Sequence, residues 1–217
     1  LLSNTTGNHN VAIGHLSMDA ALNGALNNTA LGNYSLSALT TGDSNVALGY
    51  SAGGSLTTGA SNILIGRSAG GAGTGLASAV IIGMYAGDAI NTNNSQGSIL
   101  IGYQAGTTQT AGVNTFIGYD SGRYNVTGTY NTAVGYQAGT SILTGDANTV
   151  IGYESGKALT TGGSNISLGY QAHLALVSGD NNVAIGASAL TSDTLGSTSI
   201  AIGGGALATQ NFTSATD

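Results

Sequence analysis

Three residues in a row are apolar or β-branched in front of a glycine, and the same triplet returns about every 17 residues. The glycines are Gly14, Gly32, Gly49, Gly66, Gly83, Gly102, Gly118, Gly135, Gly152, Gly169, Gly186 and Gly203, spaced 18, 17, 17, 17, 19 and 16 residues and then five times 17. The residue just before each is Ile, Leu or Val, from Ile13 to Ile202, and the third before is Val, Ile or Thr. Side chains alternate along a strand, so these two share a face and the residue between them points the other way. That middle residue is Ala in six copies, a larger apolar residue in five, and Ser at Ser167. A strand with one wet face would alternate apolar and polar positions. The pattern therefore predicts one short strand per repeat, with one face filling an interior and the other covered by another surface. The flanking residues, including Thr29, Thr115, Thr132 and Thr149, are expected to face the interior. Ala12, Ala30, Ala47, Ala133, Ala184 and Ala201 are expected at an interface between identical chains, where small side chains let backbones approach.

The rest of each repeat predicts corners. The central Gly suits a turn with positive φ or no room for a side chain. A second Gly lies seven residues earlier in eight copies, as at Gly42, Gly59 and Gly145, and a third four residues later in seven, as at Gly53 and Gly139. Asn precedes the triplet in nine copies, where stacked amides can bond to one another and to turn backbone. The third residue after the Gly is Ala or Ser throughout, which suggests a second short strand with a tightly packed small position. The stretch that often reads Leu-Thr-Thr-Gly absorbs the length variation and is expected to be an outer loop. The fold class expected is all-β: a parallel β-solenoid of about 12 coils with a 17-residue period. At about 4.8 Å per rung it would be a rod about 55–60 Å long. Residues 1–207 read as a single repeat domain and 208–217 as the start of a following segment or tail. The repeats begin and stop near the two ends, so the chain is expected to be a segment of something longer.

Composition narrows the class. Gly is 37 of 217 residues, charged residues are 6%, and Pro, Cys and Trp are absent. The lack of Pro agrees with stacked strands, since Pro cannot donate to a ladder. Nine acids against Arg67, Arg123 and Lys157 leave a net charge of −6, which argues against nucleic acid as a partner. No apolar run of about 18 residues suggests membrane insertion.

The words Asn-Val-Ala-Ile-Gly at 10–14 and 182–186, and Asn-Thr-Ala-Val-Gly-Tyr-Gln-Ala-Gly at 131–139, resemble the YadA-like head repeats of trimeric autotransporter adhesins. With the Thr-Thr-Gly spacers, the longer-period version resembles repeats in bacteriophage tail-fibre proteins, notably of phages of cyanobacteria. The resemblance spans residues 7–207. It implies a left-handed β-roll and a homotrimer around a threefold axis. It also implies a structural or adhesive fibre on a virion surface, or else a bacterial surface adhesin or extracellular filament subunit. Partners implied are other copies of the chain, neighbouring fibre or tail proteins, and a host-surface glycan. The adhesin's neck and stalk do not follow the repeats, so anchoring is not implied.

Candidate chemistry is sparse. Tyr103, Tyr119, Tyr136, Tyr153 and Tyr170 each follow a central Gly in five successive repeats, and such a ladder could stack on sugar rings or on itself. His9 and His15 could meet symmetry mates at a threefold axis, but read more simply as corner residues. Asp43, Asp146 and Asp180 follow the spacer Gly and read as turn residues, without the nonapeptide of calcium-binding rolls. No nucleophile–base arrangement or paired carboxylates occur at a fixed spacing, so no enzyme activity, metal or cofactor is expected.

Overall fold

The computed structural model describes residues 6–90, 96–110 and 112–212. The chain divides into two compact units, Leu1–Val113 and Asn114–Asp217. Each carries six three-residue strands of a parallel β-solenoid. The first holds β1 (Val11–Ile13), β2 (Thr29–Leu31), β3 (Val46–Leu48), β4 (Ile63–Ile65), β5 (Val80–Ile82) and β6 (Ile99–Ile101). The second holds β7 (Thr115–Ile117), β8 (Thr132–Val134), β9 (Thr149–Ile151), β10 (Ile166–Leu168), β11 (Val183–Ile185) and β12 (Ile200–Ile202). Within a unit each strand pairs in parallel with the next in equivalent register, as Ala30 with Ala47 and Thr132 with Thr149.

The strands are short because turns take up most of each coil. The second residue after the central Gly has positive φ even where it is not glycine, as at Gln104 (φ 54°), Gln137 (φ 51°) and Gln171 (φ 52°). The fourth follows suit, at Gly139 (φ 55°) and His173 (φ 51°), and so does the residue before the Asn, at Ala147 (φ 57°) and Ser164 (φ 57°). Alternating left-handed residues cannot form a pleat, so the expected second strand is a chain of turns instead. A left-handed non-glycine residue costs about 1–2 kcal/mol, so a lone coil has little to hold it. Stacking offsets the strain, because turn amides also pair from coil to coil. The Gln137 N–H donates to Tyr119 C=O at 2.9 Å, Gly139 to Ser155 at 3.0 Å and Leu143 to Thr160 at 2.9 Å.

The interior corrects the assignment of faces. The middle residue of each strand points inward: Ala30, Ala133 and Ala184 are 0% exposed, Ala47 1% and Ala201 2%. Ala12, on the first described rung, is half-buried on the same side. The flanking residues, Thr29 and the other threonines included, point outward. One inward residue per strand suffices because the turns supply the rest of the core. Leu39, Leu56 and Leu159, the leucines of Leu-Thr-Thr-Gly, are fully buried, so the supposed outer loop carries core side chains.

Volume is traded within a coil between the middle strand residue and the residue six positions on. Large middle residues face glycine: Leu64 with Gly70, Ile81 with Gly87, Phe116 with Gly122. Ala30 is matched by buried Leu36 and Ala184 by buried Leu190. A Cβ added at Gly122 would run into the Phe116 ring. The narrow interior is close-packed and holds at most one large side chain of the two; where both are small, as at Ala133 and Gly139, a neighbour such as Ile142 fills the space.

The asparagines form buried ladders. Asn148 Nδ2 donates to Asn131 Oδ1 at 3.0 Å and to the Gly162 carbonyl at 2.9 Å. Its Oδ1 accepts from the Asn165 N–H and Asn165 Nδ2 at 3.0 and 3.1 Å. The same pattern joins Asn28, Asn45 and Asn62 in the first unit. Where Ser98 replaces Asn, the Gln109 amide bonds to Ser98 Oγ at 3.0 Å and to the Gly112 carbonyl at 2.9 Å. The spacing reaches past Leu207: Thr194 Oγ1 lies 2.9 Å from Asn211 Oδ1, 17 residues on.

Candidate functional surface

No concave pocket opens among the described residues, and the surfaces that repeat from coil to coil are outer ones. Two run along each unit. The first is the outward face of the strands, two side chains wide. It consists only of Val, Ile, Leu and Thr, without a charge on any rung. These side chains stay open in the middle of a unit, as at Val46 (41%), Leu48 (43%) and Ile166 (39%). Strand rise and spacing make the strip roughly 10 Å wide and 25 Å long in each unit. A flat apolar strip of that size marks a contact surface more often than a solvated one.

The second surface follows the glycine corner. In these corners φ is near 135° (Gly135, φ 137°), and a Cβ on Gly135 would strike the Gly152 carbonyl oxygen. Only glycine lets successive corners approach so closely, and that brings the next side chains into register. In the second unit Tyr119, Tyr136, Tyr153 and Tyr170 stack face to face, with centroids 5.2–5.3 Å apart and planes within 9–14°. Both faces of Tyr136 and of Tyr153 are therefore taken by neighbouring rings. A sugar stacking on either would have to displace a tyrosine, while the ring edges remain open. Tyr103 lies in the first unit and meets Tyr85 edge-on at 6.5 Å. That unit's row is mixed: Tyr34 is T-shaped to both His15 and Tyr50, at 5.7 and 5.6 Å. Arg67 sits between Tyr50 and Tyr85, its guanidinium carbon 5.6 and 5.7 Å from the two ring centroids.

Beside the tyrosine stack, Lys157 Nζ lies 2.6 Å from Glu154 Oε1, and Gln171 Nε2 donates to Oε2 at 2.8 Å. Those bonds hold the Glu154 carboxyl below its ordinary range, and its charge raises the Tyr153 phenol. Arg123 pairs in the same way with Asp120 at 3.4 Å. The aspartates act as turn residues: Asp43 Oδ1 accepts from the Leu26 N–H, Asp146 Oδ1 from Thr129 and Asp180 Oδ1 from Gly163, at 2.6–2.7 Å. No group of three His, Cys, Asp or Glu able to hold a metal occurs among the described residues.

His173 is the residue that the sequence pattern concealed. It occupies the interior slot six residues after Ser167, where other coils place Gly, Leu or Met. It is fully buried, with Nδ1 2.7 Å from Ser167 Oγ and no hydrogen-bond partner for Nε2. Burial pushes its pKa down to about 4, against an opposing pull from Asp193. Ser167 and His173 meet inside the core, and the buried Asp193 acts on the ring through its charge without a hydrogen bond to it. The volume trade between residues six apart is the signal that could have located it. No helix is long and apolar enough to cross a membrane among the described residues. No protein-family model matches the chain, and neither the curated proteins nor the solved structures yield a match.

Proposed function

We propose that this chain is a length of structural, adhesive fibre, built from several copies packed along their outward strand faces and serving to position host-surface binding. The observation that carries the reading is the uncharged apolar strip, repeated on every rung. Another copy of the same chain supplies a strip of equal length and spacing, which is the simplest partner for a surface with no charge to pair. Three copies, and a place on a phage tail or virion fibre, follow from the resemblance of the repeats to tail-fibre and adhesin heads. A bacterial surface adhesin or filament subunit is the companion reading on the same resemblance. Neighbouring genes separate the two, since tail genes on both sides favour the phage. Neither reading needs catalysis, a cofactor or insertion into a membrane.

Light scattering coupled to size exclusion tests the assembly. The expected mass is three times that of the chain, falling to one chain when Ile151 and Ile166 are both replaced by Asp. A wild-type chain that stays monomeric at high concentration refutes the proposal. Replacing Ala133 by Asp tests something different: it puts a carboxylate in the interior, so loss of folding is expected rather than a clean monomer.

A further inference from the structure

The first unit's aromatic row holds a cation that has no ion pair among the described residues. The sequence has three basic residues, Arg67, Arg123 and Lys157, against nine acids. Arg123 and Lys157 are each paired with an acid three residues earlier. Arg67 is exposed, with no ion pair and no side-chain hydrogen bond among the described residues. In a chain with net charge −6, acids are plentiful, so an unpaired guanidinium stands out as the exception.

Its setting is specific. Tyr50 and Tyr85 lie 5.6 and 5.7 Å from its guanidinium carbon, within cation–π range. Tyr50 is contributed by the coil before and Tyr85 by the coil after. Tyr85 takes the left-handed conformation (φ 61°), as Tyr34 does in an earlier coil (φ 60°). The rings engage the guanidinium without using its N–H groups, and five donors in a planar fork remain to be used. A fork of this kind matches a carboxylate in bidentate geometry. On both sides stand tyrosines whose phenols can exchange hydrogen bonds with hydroxyl groups.

We infer that Arg67, flanked by Tyr50 and Tyr85, is a binding site for a carboxylated sugar unit of an acidic polysaccharide. A uronate presents one carboxylate among several hydroxyls, which suits one fork set between phenols. Any polyanion with a charge on every residue, nucleic acid included, fits worse, because the first unit has a single cation; the glycan that suits it carries isolated carboxylates on an otherwise neutral chain. An acidic peptide offers a carboxylate and backbone groups for the phenols but no array of hydroxyls, so polyglutamate is titrated as the competitor. The inference rests on the fibre reading only for where the glycan comes from, the surface to which a fibre attaches.

Calorimetric titration with a neutral xylose oligosaccharide that bears a single glucuronate tests it on the whole chain. Wild-type protein is expected to bind it, to bind more weakly as salt rises, and to ignore a neutral glucose oligosaccharide of equal length. Arg67→Ala is expected to weaken binding about tenfold or more, the scale of a lost charge-assisted bidentate contact. Arg67→Lys should fall between the two, because it keeps the charge and loses the fork. Tyr130→Ala, an exposed tyrosine of the other unit outside the stacked row, should bind as wild type. Any of four results overturns the inference: no heat with the uronate, equal binding of the neutral sugar, equal binding of polyglutamate, or unchanged affinity in Arg67→Ala. The mass of each variant is measured in parallel. A change of mass in Arg67→Ala would place the residue in a contact between chains and overturn the site. An unchanged trimer without binding would overturn the site and leave the fibre standing.

Discussion

Replacing Asn148 by Ala should cost more stability than almost any other single truncation in the second unit. Its side chain takes part in four buried hydrogen bonds: two donated, to Asn131 Oδ1 and the Gly162 carbonyl, and two accepted, from the backbone and side-chain amides of Asn165. Removal leaves the Gly162 carbonyl, the Asn165 N–H and one Asn165 Nδ2 proton without partners. Asn131 Oδ1 is less affected, because the Asn148 backbone N–H still donates to it at 2.9 Å. Three orphaned groups cost about 1–3 kcal/mol each. A water entering the vacated space recovers part of that, so the net loss is roughly 4 kcal/mol. Urea unfolding followed by circular dichroism measures the loss, and hydrogen exchange at the Asn165 amide localises it. The first unit shows how to repair the damage. Combining Asn148→Ser with Leu159→Gln copies the Ser98–Gln109 arrangement, with the new amide placed to reach the Gly162 carbonyl as Gln109 reaches Gly112. The two changes should couple by about 2 kcal/mol, the double variant losing that much less than the sum of the single losses, as is typical of residues in one network. An Asn148→Ala protein within about 0.5 kcal/mol of wild type, with the Asn165 amide still protected, would refute the ladder as a source of stability.

Other expectations follow from the same geometry. Because the folded His173 pKa lies near 4, below its ordinary 6.5, stability should be fully present above about pH 6.5 and fall as the pH drops towards 4. The loss should total roughly 3 kcal/mol. Ser167→Ala combined with His173→Leu, which copies Ala184 and Leu190, should flatten that slope in urea midpoints; an unchanged slope would clear the histidine. Gly135→Ala and Gly203→Ala face similar φ, 137° and 125°, but only the first meets a neighbouring carbonyl. The first should therefore cost several kcal/mol and the second about 1–3, and equal losses would show that φ alone decides. Phe116→Ala should cost about 3–5 kcal/mol and Gly122→Leu should clash. The double variant, which recreates the Ala30–Leu36 pairing, should unfold later than either single one; additive losses would refute the volume trade.

The periodic sequence by itself determined the repeat, the strand positions and the corners. All twelve predicted triplets are strands, because a glycine at φ 125–140° ends each one at a fixed point. The asparagine ladder was legible too, since Asn in one register on stacked coils has few other partners. Which face turns inward was not legible. A triplet apolar on both sides is symmetric to a period-2 argument, and Ala on one face suggested close packing between chains. The tertiary structure decided otherwise, because the interior is already half filled from the turns. Leu39, Leu56 and Leu159 enter from stretches that read as loop, leaving room for one strand residue, often only an Ala. The larger Val, Ile and Leu are left outside, which moves the proposed contact between chains onto them. The tyrosine register could be read along the chain, but ring orientation and the placing of Arg67 between Tyr50 and Tyr85 could not. Those depend on residues one coil apart in space and 17–18 apart in sequence, brought together only when the coils stack.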